Sequence, residues 1–171
     1  MSVYQTVISR RTVRDYTDEP VPEELVRKLL QAGRMAPSSS DSQPWHFVVV
    51  RDPDTIARLG DIATQGPFLA GAPLVIAVCV VDDAPRGHLD AGRAIQQMEI
   101  VGWSEGLGTC FVGVRQAEQQ VAVKEVLGIP EDVELITLLP FGYRQEGFKR
   151  RGVRRKEMST IAHRERFGTP W

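Results

Sequence analysis

Residues 74–81 read LVIAVCVV, an unbroken apolar run rich in β-branched residues. Such a run is far short of the ~20 residues that cross a bilayer, and it has no polar face to give to water. It therefore reads as a buried strand, which gives the sheet an inner, apolar part. HFVVV (46–50) and LITLLPF (135–141) read as further inner strands. Helical spacing appears between them. After Val21, Leu25/Leu29 and Val26/Leu30 are paired at i, i+4 in a stretch that opens with Pro22 and two glutamates and stops at Pro37. Residues 54–63 and 88–107 also read as helices, the second long enough to cross the core, and 117–130 is another that ends at Gly128 and Pro130. Between the last two, the glycines of GLGTCFVGV (106–114) open an extended segment.

The elements do not alternate as βαβ units, and no GxGxxG follows a strand. The pattern favours an α+β fold and disfavours a dinucleotide-binding Rossmann sheet. With 171 residues, 42% of them hydrophobic, one domain spanning 1–171 is the expectation. The closing stretch, YRQEGFKRRGVRRKEMSTIAHRERFGTPW, has too few apolar positions to form a core of its own, so it must pack on something else or be loose.

Charge is balanced, with 21 basic and 22 acidic side chains, which removes any general attraction to nucleic acid or anionic membrane. Basic residues are instead concentrated in RRTVR (10–14) and KRRGVRRK (149–156), where guanidinium forks match the oxygens of a phosphate. The start lacks the basic-then-apolar order of a signal peptide, and Cys79 and Cys110 lie in apolar runs that suit buried free thiols, so a cytoplasmic location is expected. Three scattered histidines without CxxC or HxxxH give no metal site. Ser38, His46 and Asp41 share one loop and strand start without G-x-S-x-G, and are not read as a hydrolytic triad.

The loop MAPSSSDSQPWHF (35–47) holds serines, an aspartate and a glutamine between two prolines and runs straight into a strand. Together with its neighbours it carries a resemblance. SRRTVRDYTDEPVPEELVRKLLQAGRMAPSSSDSQPWHFVVV resembles the opening of the FMN-dependent nitroreductase family, whose pattern runs RR[ST][IV]RxF, a helix ending near AP, then PSSxNxQPW and a strand. DAGRAIQQMEIVGWSEGLGTCFVG is similar to the family's long core helix ending in GLGT, LLPFGY follows, and RRKEMSTIAHRERFG resembles its closing RRKPLEE…H…WG.

The resemblance implies a three-layer fold with a mixed or antiparallel central sheet between helices. It implies a homodimer whose 149–171 extension wraps onto the partner, with FMN at the interface and NAD(P)H as hydride donor. By position, Arg10, Arg11, Thr12 and Arg14 would hold the phosphate and ribityl chain, joined by Arg154, Arg155 and Lys156. Pro37, Ser38 and Ser39 would reach the ring from the opposite subunit, with Gln43 nearby. Leu139, Pro140, Phe141 and Gly142 would wall the ring, and Gly108 and Thr109 would approach by backbone. No protein side chain need be catalytic, since the flavin carries the chemistry in a ping-pong cycle that ends on a nitroaromatic, quinone or similar electrophile. The alternatives are a flavin-storage protein without turnover, or a same-fold enzyme with a dedicated reaction: enal reduction, dehalogenation or flavin fragmentation. Asp41 stands where the family usually has Asn, replacing a possible donor by an acceptor.

Overall fold

The computed structural model of the chain describes residues 2–81, 83–148, 152 and 154–171. Among them, β1 (Trp45–Val50), β2 (Leu74–Val81), β3 (Leu107–Thr109) and β4 (Val133–Tyr143) form one sheet in the order β1-β2-β4-β3. Every pairing is antiparallel, so of the two forms expected from the sequence the described sheet takes the antiparallel one.

The run at 74–81 is the centre of this sheet. Leu74, Ile76, Val78 and Val80 face one apolar cluster and Val75, Ala77 and Cys79 the other, all at most 2% exposed. Period-two alternation gives each set its own layer. The first layer contains α2 (Glu23–Arg34) and α4 (Gly87–Ser104), which contribute Leu29, Ile95 and Met98. The second contains α3 (Pro53–Ile62) and α5 (Ala117–Leu127), which contribute Leu59 and Val123. Burying each such side chain is worth about 1.5–3 kcal/mol. The polar Thr137 is tolerated at 0% exposure because its hydroxyl donates to the Val112 carbonyl at 3.0 Å.

Three boundaries differ from the sequence reading for local reasons. The long helix ends at Ser104, since Gly106 turns at φ 90° and Leu107 already pairs with Tyr143 in the sheet. The helix from 117 ends at Leu127, where Gly128 takes the left-handed conformation (φ 64°) and closes it. The extended segment after Gly106 splits into β3 and a separate bridge from Val112 to Leu138.

A first helix, α1 (Val3–Ser9), has no counterpart in that reading. Ser2 caps it by accepting the Gln5 N–H, and its buried residues are Thr6 and Ser9 while Val3, Tyr4, Val7 and Ile8 are exposed. Its amphipathicity is inverted with respect to this chain, so the usual apolar stripe does not mark it. At the other end α6 (Met158–Ile161) and a bridge between His163 and Pro170 fold on themselves, leaving Phe167 and Trp171 exposed. No helix among the described residues is long and apolar enough to cross a membrane.

Candidate cofactor site

The arginine segment is laid along the β3–β4 end of the sheet. The Val13 N–H donates to the Thr109 carbonyl at 3.0 Å and the Thr17 N–H to the Tyr143 carbonyl at 2.9 Å, while Tyr16 bridges Arg144. The Tyr16 hydroxyl turns back to donate to the Val13 carbonyl at 2.8 Å, and burial holds its ionisation well above the ordinary phenol value. Two glycines make the close approach possible. A Cβ on Gly108 would lie 2.5 Å from Val13 Cβ, and one on Gly142 would lie 2.8 Å from Tyr16 Cβ. Val13 and Tyr16 are thereby sunk into the core, which turns Thr12 and Arg14 outward.

The three arginines end up with different duties. Arg11 donates through one terminal nitrogen to the carbonyls of Ile8 and Arg10, at 2.9 and 2.8 Å, covering the end of α1, and its Nε is buried without a partner. Arg10 lies 3.7 Å from the buried Glu99 of α4, whose carboxyl burial pushes above the usual carboxylate range despite Arg10. Arg14 is exposed, makes no ion pair among the described residues, and sits 5.6 Å from the Phe68 ring centroid. Beside it, burial raises the Cys110 thiol while Arg14 and Arg10 pull it down. The Thr109 hydroxyl is buried there without a partner. An available guanidinium, a second on a loose pair, an outward threonine hydroxyl and an orphaned buried hydroxyl suit a phosphate ester.

The serine loop is built differently. Ser39–Asp41 forms a single 3-10 turn, yet Ser40, Asp41 and Gln43 hold φ of 53°, 54° and 46°. Left-handed backbone costs a non-glycine residue about 1–2 kcal/mol, so something must hold it. Inside the loop the Gln43 N–H donates to Ser38 Oγ at 2.9 Å and Gln43 Nε2 to Asp41 Oδ1 at 3.1 Å. From outside, Asp90 of α4, 1% exposed, accepts the Ser39 N–H at 3.0 Å and its hydroxyl at 3.4 Å. Asp41 thus spends an oxygen on Gln43, and Pro37 is exposed beside the groove that includes His88 and Arg93.

The remaining expected contacts are spread out. Leu139 and Phe141 are 0% exposed in the α2–α4 cluster, so their side chains serve the core and that stretch offers a ligand only backbone. Pro140 pairs with Val75 and is buried as well. Gly108 is buried against Val13. Arg154, Arg155 and Lys156 are exposed and make no hydrogen bond or ion pair among the described residues, while 149, 150, 151 and 153 of the same basic stretch lie outside them. Ser38 and Asp41 are bonded within their own loop. No group of three or more metal-ligating side chains occurs among the described residues.

Asp90 and Glu99 were missed in the sequence, although they lie at the helical spacing of Ala91, Ala94, Ile95 and Met98. An acid at each edge of an apolar stripe is the signal that marks both. They are nine positions apart on α4, two and a half turns and ~13 Å, and so point to opposite sides of the helix. One chain therefore holds the serine loop and the arginine segment on opposite flanks of its central helix.

Fold and site together define a three-layer α+β protein with an arginine-rich segment docked by two glycines on the end of its sheet. The sequence profile of the nitroreductase family matches residues 7–81 and 63–143, and this chain belongs to that family. A protein of Methanothermobacter thermautotrophicus with the provisional name NADH dehydrogenase/NAD(P)H nitroreductase is 34% identical over 151 residues, covering 85% of this chain and 79% of its own. The structure of an FMN-dependent nitroreductase from Clostridium difficile superposes with a TM-score of 0.81 at 28% identity, covering 87% of this chain and 91% of that one. An iodotyrosine deiodinase of Haliscomenobacter hydrossis is 26% identical over 195 residues, covering 92% of this chain and 86% of its own.

Proposed function

We infer that this chain is an FMN-dependent NAD(P)H oxidoreductase that reduces small electrophiles such as nitroaromatics and quinones. The observation that carries this reading is the docked arginine segment, which leaves Arg14 without an ion pair among the described residues and is bonded to Thr109, whose buried hydroxyl has no partner among them. Relatives named for FMN and NAD(P)H support it. When bound, FMN supplies reversible hydride acceptance, first from NAD(P)H and then toward the oxidant.

The chain's own residues bind and orient. Arg14, Arg10 and the Thr12 hydroxyl take the phosphate, with Arg154, Arg155 and Lys156 adding positive charge and Arg11 bracing the end of α1. Gly108, Thr109, Pro140, Phe141 and Gly142 contribute backbone, since the Phe141 ring is committed to the core. Pro37, Ser38, Ser39 and Gln43 come from the second subunit of a homodimer. The opposite placement of the two clusters on α4 supports that assignment. The exposed apolar face of α1 and the outward Phe167 and Trp171 of the tail fit the same dimer, in which residues 149–171 of a single 1–171 domain pack on the partner. Two buried free thiols agree with a cytoplasmic location.

The deiodinase relative keeps a second reading open, a dedicated reductive dehalogenation on the same fold. One experiment addresses both. The purified protein should be yellow, bleach on anaerobic NADH or NADPH, and recover with a nitroaromatic or quinone. Recovery with an iodophenol alone favours the second reading, and bound flavin that never bleaches indicates storage. Protein that stays colourless with added FMN refutes the whole.

A further inference from the structure

We propose that Asp90 is the positioning residue that presents the serine loop to the flavin site, a role that rests on the reading just given. Three observations meet here. The loop keeps three non-glycine residues in left-handed backbone, at positions that are themselves exposed, so packing does not hold them there. Its bond to the framework runs from the Ser39 N–H and hydroxyl to the two oxygens of one buried carboxyl. Arg93, on the same helix, donates at 2.9 Å to Oδ1 of that carboxyl, the oxygen that also accepts the Ser39 hydroxyl, which leaves the carboxyl little freedom to follow the loop if the loop moves.

The arrangement resembles a bracket rather than a ligand. Asp90 lies beneath the loop at 1% exposure, so it reaches a bound molecule only through Ser39. It fixes where the Ser39 backbone sits, and the internal bonds from Gln43 to Ser38 and Asp41 carry that placement around the turn. Because the bracket stands on α4, the helix that also holds Glu99 behind Arg10, the parts that one subunit gives to the two cofactor sites of the dimer are referred to one rigid element.

The test is FMN titration by flavin fluorescence, with amide exchange at Ser39 and Gln43, in wild type, Asp90→Ala and Asp90→Asn. Asp90→Ala should weaken FMN binding at least about tenfold and speed exchange at both amides, as expected for losing a hydrogen bond to a charged acceptor. Asp90→Asn keeps one oxygen for the Ser39 N–H and should recover affinity to within roughly threefold of wild type. Wild-type affinity in Asp90→Ala overturns the proposal, as does Asp90→Asn binding no better than Asp90→Ala. Should Asp90→Ala not fold, Ser39→Pro replaces it. Ser38 already has φ −125° and ψ 160°, a conformation that proline accepts in its predecessor, so the substitution removes the N–H and the hydroxyl while leaving Asp90 in place. It should weaken FMN as strongly, and undiminished binding would overturn the assignment. If wild type itself takes no FMN, the functional reading fails. The exchange measurements then decide the bracket alone, and unchanged amides in Asp90→Ala refute it.

Discussion

Val13 occupies the space that a side chain at position 108 would need: a Cβ on Gly108 would stand 2.5 Å from Val13 Cβ and 2.7 Å from both of its methyls. The two residues are joined through the Val13 N–H to Thr109 carbonyl bond, so neither can retreat alone. The position of the arginines follows from this contact.

Gly108→Ala should therefore destabilise the protein by about 1–3 kcal/mol, as overpacking does, and weaken FMN binding as well, because Arg10 and Arg14 flank the displaced residue. Urea denaturation and FMN titration check the two effects. A stable variant with normal affinity would show that the segment can shift without consequence.

Arg14→Ala should do the reverse, lowering FMN affinity by about 1.5–3 kcal/mol, or roughly 10- to 150-fold, with little change in apo-protein stability. The side chain is exposed and lies beside Phe68 and Cys110. Full flavin occupancy in this variant would place the phosphate elsewhere.

Glu99 gives a pH signature. Burial raises its pKa in the folded state, so above the ordinary carboxylate range the native protein still holds a proton that the unfolded chain has released. Stability then falls as pH rises through that window and returns on acidification. Glu99→Gln should remove the slope, measured as denaturation midpoints between about pH 4.5 and pH 7. An unchanged slope in the variant would assign it to another group.

Both cysteines should be inert in the native state. Cys79 is 1% exposed with its thiol pushed up to about 11 by burial, and Cys110 is 4% exposed with its thiol also raised. Ellman's reagent at pH 8 should find no fast thiol in the folded protein and two after denaturation. Rapid labelling of one would reveal local opening near it.

Removing residues 149–171 should cost both the dimer and the flavin. Light scattering and the visible spectrum of the shortened chain decide this together. A flavin-loaded dimer that survives truncation would separate the tail from the site.

The inner strands, the four longer helices and the α+β class were readable because burial imposes a period on them, as at 74–81 and in α2. The arginine and serine positions were readable as motifs. What escaped was of two kinds. In α1 the polar residues face inward and the apolar ones outward, which defeats a reading that equates apolar with core. The acids behind the site, Asp90 and Glu99, sat in view but were absorbed into a helix read for its apolar spacing. That the Phe141 ring lies in the core, leaving only its backbone to a ligand, was not legible for a related reason. A strand alternates its faces, and which face a residue takes depends on register, here Leu74 opposite Phe141, that no local pattern announces.

The clamp on the arginine segment has a bearing on how the protein is made. Tyr16 leaves the ribosome early, but the Gln145 side chain that bonds its carbonyl lies 129 positions later, and β3 and the end of β4 also follow far behind. During vectorial synthesis the nascent arginines thus have no seat until most of the polypeptide has emerged. Cofactor capture is consequently an event of the finished chain, and a ribosome stalled before β4 would display the basic segment undocked.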